Sequence, residues 1–260
     1  MSILQTMILL QLQLFALMAV GYYCHKRGVI DANGQRSLSD ALITVILPCS
    51  ILHSFLSGAT PSRALIGNCL LAFALSLLIQ LAAIYGSRFL FRHLGKDRSA
   101  AARYGLIVSS SSFVGIPVAE VLYGSLGVMY TAVFQIPVRF TMWSAGLTLF
   151  TEPGKFTDTL KKVLLHPCIL SCVLGFVLML AQVPLSEALL TAISSLARCT
   201  TPLSMLIIGA VLGSCDKQQL LQKDVLFFCF VRLLAFPFAV WLVLHFLPLD
   251  PTITGLAVLM

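Results

Sequence analysis

Apolar runs of about 20 residues, the length that crosses a bilayer as a helix, succeed one another along the whole chain with short polar gaps between them. Hydropathy, with the prolines, glycines and charges that punctuate it, places spans at 3–24, 41–58, 64–87, 103–123, 127–150, 163–183, 189–213 and 225–247. A ninth run begins near Pro251 and reaches Met260. The pattern predicts an all-α polytopic membrane protein with about eight complete spans plus the start of a ninth.

Composition sharpens this by exclusion. Hydrophobic residues make up 58% of the chain and charged ones 10%, against about 25% charged in a soluble globular domain. The lysines and arginines then orient the spans, because cytoplasmic loops collect positive charge. Thirteen of the 17 lie in alternate gaps, after spans one, three, five and seven, whereas the N-terminus and the remaining gaps hold Arg63 alone. The N-terminus is therefore placed outside and the loop from Arg88 to Arg103 in the cytoplasm, in a multi-pass protein of the cytoplasmic membrane. The same distribution accounts for the net charge of +7 without a nucleic-acid partner. The eight cysteines lack the paired spacing of a zinc or redox site and read as buried small apolar residues, so neither metal nor cofactor is expected. The first run has no basic stretch before it and reads as a retained helix, not a cleaved signal.

An internal repeat organises these spans. Pro48-Cys49-Ser50-Ile51-Leu52 in span two returns as Pro202-Leu203-Ser204-Met205-Leu206 in span seven, 154 positions later, and Leu70-Leu71-Ala72-Phe73 in span three returns as Leu233-Leu234-Ala235-Phe236 in span eight. Residues 1–150 then form a first five-helix unit. Residues 151–260 form a second, incomplete unit holding spans six to eight and the start of nine. An odd number of helices per unit inverts the second relative to the first, as in many secondary transporters. On this reading a tenth span is expected beyond Met260.

The candidate chemistry lies where spans are distorted or charged. Span four runs Ser109-Ser110-Ser111-Ser112-Phe113-Val114-Gly115-Ile116-Pro117. Pro117 cannot donate to the helix ladder and disfavours helical geometry at Ile116, while Gly115 tolerates the distortion. A break is expected there, with Ser110, Ser111 and Ser112 as its polar partners and a half-helix beyond Pro117 whose amides favour an anion. A simple proline kink with the serines bonded back to the helix is the alternative. Pro48 with Ser50 in span two, and Thr200-Thr201-Pro202 in span seven, are further distortions that line the cavity or serve packing alone. Charge inside a span marks function by default. Arg139, deep in span five with no acid at matching depth, suits a substrate carboxylate; a bond to helix carbonyls is the other reading. Arg198 stands one turn before the span-seven distortion. Glu120, near the outer end of span four, is the candidate carrier of a coupling proton or a solvated glutamate at the rim. Arg232, near the cytoplasmic end of span eight, is expected to snorkel.

These stretches together resemble the auxin efflux carrier family, which includes plant auxin exporters and bacterial malate or malonate permeases. The residues that carry the resemblance are Leu47-Pro48, the polar run ending Gly115-Ile116-Pro117, Ile136-Pro137 with Trp143 and Gly146, Thr200-Thr201-Pro202-Leu203, and Arg232 with Pro237. It implies ten helices in two inverted five-helix repeats, with spans four and nine broken and crossing beside the substrate, the bile-acid-symporter and NhaA-like arrangement. It differs at one place: the family often has an asparagine where Ser109 to Ser112 stand.

The leading expectation is a secondary transporter moving small organic anions, carboxylates such as malate, malonate or auxin-like acids, by alternating access. Its partners would be the anion, a proton or sodium ion for coupling, the lipid bilayer and a second copy of the chain in a homodimer. A structural or regulatory membrane protein derived from a carrier is the alternative. An enzyme is not expected, since no H-E-x-x-H, no G-x-S-x-G and no carboxylate pair lies in a span.

Overall fold

A computed structural model describes residues 3–56, 62–108, 115–146, 149–150, 161, 164–182, 185–215, 222–246 and 250–259. Helices are α1 (Ile3–Lys26), α2 (Ala32–Leu56), α3 (Arg63–Leu90), α4 (Lys96–Ile107), α5 (Ile116–Thr141, continued by a wide turn over Met142–Gly146), α6 (Pro167–Ala181), α7 (Glu187–Ser214), α8 (Lys223–His245) and α9 (Pro251–Leu259). Among the described residues there is no strand. The described residues of the expected spans are mostly helical, and α2, α3, α5, α7 and α8 are long and apolar enough by themselves to cross a membrane.

Local chemistry sets the helix ends. Asp31 accepts the Gly34 amide at 2.7 Å and starts α2 nine residues before the expected span, on a polar stretch that hydropathy does not register. Ser62 accepts the Leu65 amide at 3.1 Å and starts α3. The cytoplasmic loop expected from Arg88 to Arg103 is shorter than charge suggested: α3 runs to Leu90 and α4 begins at Lys96, so Arg98 and Arg103 lie on a helix. Spans four and five are separated by a sharp turn at Gly124, whose positive φ of 62° suits glycine. Two prolines sit just after wide helical turns, Pro48 after Leu42–Ile46 and Pro237 after Val231–Ala235. A wide turn moves the carbonyl that the proline ring would strike, so the helix continues past it.

Helix α2 lies at the centre, against α5, α6 and α7. Helix α1 packs along α7 in the same direction, with Gly21 on the Leu206 backbone and His25 further along on Gly213. A Cβ at Gly209 would stand 2.9 Å from the Tyr22 amide nitrogen, so the two backbones touch. Helix α6 packs along α2, also in the same direction, through the Cys168 thiol facing the Ile43 carbonyl and Gly175 under the Phe55 ring. The Phe55 and Phe176 rings meet edge to face at 6.4 Å. Helix α2 runs against α7, since His53 and Leu56 at its end share a groove with Leu190, Thr191 and Ser194 near the start of α7.

The remaining helices make a second group. Helices α3 and α5 are joined by Asn68 to the Tyr130 hydroxyl at 3.4 Å, Ser76 to the Phe134 carbonyl, and Thr141 to Gln80 Oε1 at 3.0 Å. Helix α4 meets α8 through Arg98 and Asp224, through Phe228 lying on Gly105, and through a small core of Phe91, Leu106 and Val231. Helix α9 packs on α3, α5 and α8.

Of the cysteines, Cys69, Cys168 and Cys172 are buried as expected, whereas Cys199 and Cys215 are exposed. Cys199 lies where α7 is interrupted and Cys215 just past its end.

Candidate functional site

The interruption of span four is the centre of the candidate site. Helix α4 ends at Ile107 and Val108 is extended (φ −96°, ψ 100°); residues 109–114 lie outside the described residues, and from Gly115 onward the chain is helical. Gly115, Ile116 and Pro117 are buried. The expected polar partners Ser110, Ser111 and Ser112 lie outside the described residues. Ile116 and Ala119 at the start of α5 belong to the same buried core as Leu47, Ile51 and Phe55 of α2, and the two helices touch.

In span two, Ser50 is buried and Pro48 half-buried. In span seven the helix falters at Cys199, whose amide turns back to the Leu196 carbonyl at 3.0 Å, and it resumes at Thr200 with Pro202 in the new first turn. Thr200 is fully buried, and its hydroxyl has no hydrogen-bond partner among the described residues. Thr201 is half-buried and Pro202 exposed. Ser204, the repeat partner of Ser50, donates to the Thr200 carbonyl at 2.6 Å, an ordinary back-bond that ties the turn together.

The charged candidates separate. Arg139 is half-buried on α5, within electrostatic reach of Tyr104 on α4 and of His166 and Cys168 at the start of α6, so it sits where the two helix groups meet. It interacts with other groups of the protein, in line with the second of the two readings its sequence position allows. Arg198 is exposed and lies near His53, beside the groove of about 240 Å³ formed by His53, Leu56, Leu190, Thr191 and Ser194, away from the span-four interruption. Glu120 is half-buried on the short helix that follows Pro117.

Arg232 corrects an expectation outright. It does not snorkel: its guanidinium donates to the Leu106 carbonyl at 2.8 Å, in the last turn of α4. The carbonyls of a last helical turn lack intrahelical donors, and in a membrane they have no water, so a neighbouring arginine satisfies one of them. The sequence signal was present in Arg232 and Pro237 as a pair, but its partner lies 126 positions away.

The described residues hold no cluster of His, Cys, Asp or Glu able to bind a metal. No curated protein matches this chain. The membrane transport protein family matches residues 6–260, the stretch that contains every distortion and charge described above, and the chain is a member of that family, a transporter of the auxin efflux carrier type.

Proposed function

We propose that the chain moves small organic anions, carboxylates of the malate, malonate or auxin-like class, across the cytoplasmic membrane by alternating access around the gap between α4 and α5. The observation that supports this reading is the end of α4 inside a span: the helix stops at Ile107, Val108 is extended, and buried Gly115 and Pro117 stand at the start of α5. The amides of that start and the positive end of the helix dipole favour a carboxylate. Arg139, at the meeting of the two helix groups, is the cation suited to hold its other end, since a guanidinium binds a carboxylate through two parallel bonds.

The helix packing supports inverted halves, residues 1–150 and 151–260, as its framework. With the 154-residue offset, α1 corresponds to α6 and α2 to α7, and the pairs that pack are α1 with α7 and α6 with α2, one contact seen twice. Tyr22 corresponds to Phe176 and Phe55 to Gly209, and Tyr22 meets Gly209 as Phe176 meets Phe55. The antiparallel course of α2 and α7 fits an inversion between the halves. A rocking of α1, α2, α6 and α7 against α3, α4, α5, α8 and α9 would then open the gap to either side.

The test is uptake of radiolabelled malate and malonate into vesicles reconstituted with the purified chain. Saturable uptake above protein-free vesicles, competed by unlabelled carboxylates and not by an organic cation, is the expected result. Uptake of neither acid by a well-folded, membrane-inserted chain would sink the reading in favour of a non-transporting role.

A further inference from the structure

Helix α3 ends in cations that rest on rings. The Arg88 guanidinium lies over the Tyr85 ring at 6.0 Å and the Arg92 guanidinium over the Phe89 ring at 4.7 Å. Both rings face outward, 66% and 69% exposed, and they continue a stripe of exposed leucines on α3, Leu77, Leu78 and Leu81. Spacings of three and four residues put these side chains on one side of the helix. In a membrane such a stripe lies against acyl chains, and the cations at its end stand at headgroup depth.

The excess of positive charge in a cytoplasmic loop accounts for cations that reach water, but not for how two of these are placed. Arg103, well inside α4, stands within electrostatic reach of Arg88. Its Nε is buried and has no hydrogen-bond partner among the described residues. Arg88 occupies the last turn of α3, an end that suits a cation, whereas Arg103 has no such reason to be where it is. Lys96 opens α4 against the preference of a helix start for negative charge, and no side chain caps that start at Gly95. The acids on α3, α4 and α8 are Asp97 and Asp224, and Asp224 is engaged by Arg98.

Like charges brought together repel, more strongly where water is partly excluded. An anion shared between them turns that repulsion into attraction. A phosphate group is suited to the task, because a guanidinium binds it through paired hydrogen bonds and its oxygens accept from several cations at once. The stripe of leucines and rings indicates what carries the phosphate, since a small soluble anion would gain nothing from it. We infer that the corner between α3 and α4 is a binding site for an anionic phospholipid: Arg88 and Arg103 hold the phosphate, Arg92 and Lys96 surround it, and the acyl chains lie along the exposed side of α3. The site stands on these two helices alone and does not depend on what the chain transports.

The test is native mass spectrometry of the purified chain in detergent, titrated with dioleoyl phosphatidylglycerol, dioleoyl phosphatidylcholine and glycerol 3-phosphate. The native chain is expected to bind phosphatidylglycerol at least about tenfold more tightly than phosphatidylcholine. Glycerol 3-phosphate, which has the phosphate without the chains, is expected not to displace the lipid at equal concentration. Arg88→Gln with Arg103→Gln should raise the Kd for phosphatidylglycerol at least about tenfold, since each cation lost near a membrane surface weakens attraction to anionic lipid severalfold. Arg103 is half-buried, so Arg88→Gln with Arg92→Gln, both exposed, repeats the test in case the first pair does not fold, and the same weakening is expected. Lys26→Gln with Arg27→Gln removes two cations that also lie over rings, Tyr22 and Tyr23 at the end of α1, and should change the Kd less than about twofold. Native affinity in a folded corner variant would overturn the site. An equal loss in the α1 variant would overturn it too, as diffuse attraction to positive charge. Displacement by glycerol 3-phosphate at equal concentration would make the corner a site for soluble phosphates and overturn the lipid assignment.

Discussion

The two helix groups are held together by different physics. Where α1 meets α7 and α6 meets α2, glycines bring backbones into contact and rings fill the remainder, as at Gly21, Gly209, and Gly175 under Phe55. Where α3 meets α5 and α4 meets α8, hydrogen bonds and charge do the joining, through Asn68, Ser76, Gln80, Thr141 and Arg232. Lipid gives apolar helices no hydrophobic reason to associate, so close packing and polar bonds are the two available means. This protein leans on one in each group, although Cys168 also faces the Ile43 carbonyl and Phe228 also lies on Gly105. The polar means weighs most in the group that contains the interrupted span, where backbone groups need partners in any case.

That contrast can be broken most forcefully on its packed side. Gly209→Leu would drive a side chain into the Met18 and Tyr22 backbone, which cannot yield as a flexible side chain would. The expected outcome is loss of the monodisperse species in size-exclusion chromatography. Gly67→Leu, on α3 with open space around it, should leave that profile unchanged. A tolerated Gly209→Leu would mean that α1 and α7 are not in backbone contact.

The meeting line of the two groups should be next in magnitude. Arg139→Gln is expected to reduce carboxylate uptake at least about tenfold, a loss of about 1.4 kcal/mol or more, while the protein still inserts. Arg139→Lys should retain part of the activity because charge remains without the fork. If both variants transport normally and only melt earlier, Arg139 is structural.

Smaller effects belong to the polar side. Thr141→Val leaves the Gln80 carbonyl oxygen without its donor, and should lower thermal stability by about 1 kcal/mol, the scale of interhelical hydrogen bonds in membranes. Removing both partners, Thr141→Val with Gln80→Leu, should cost less than the two single changes added together, because no orphaned polar group remains. Strict additivity in a thermal double-mutant cycle would show that the bond contributes nothing.

The spans were legible because hydropathy registers burial in lipid directly, and α3, α6 and α8 fall within a few residues of expectation. The early start of α2 was not, since Ala32–Ala41 is polar and its helix rests on the Asp31 cap and on packing against α7. The break in span four is expected at Gly115 to Pro117, where the described residues are helical; the extended residue is Val108, earlier in the span, and no proline or glycine adjoins it. Arg232 was misread because its partner is a backbone carbonyl, and carbonyls are the same at every position of a sequence. The pairing of Gly21 with Gly175 at the repeat offset was in the sequence all along. It gained meaning only once both were seen against facing helices.

A change without energetic effect checks the orientation of the whole arrangement. Gly95 stands in open space between α3 and α4, so Gly95→Cys in a cysteine-free chain should fold normally. It should react with an impermeant maleimide only after the membrane is permeabilised; reaction in intact cells would reverse the topology.

The central claim, a substrate site at the interruption reached in turn from each side, is tested most directly by a single cysteine at position 115 in the cysteine-free chain. Gly115 has ordinary helical angles (φ −65°, ψ −44°), so Gly115→Cys demands no unusual backbone. Its alkylation by an impermeant reagent would be measured in right-side-out and inside-out vesicles, with and without malate. The account predicts modification from both sides, slowed by malate in each orientation. Modification from neither side, or at a rate that malate leaves unchanged in both, would contradict it.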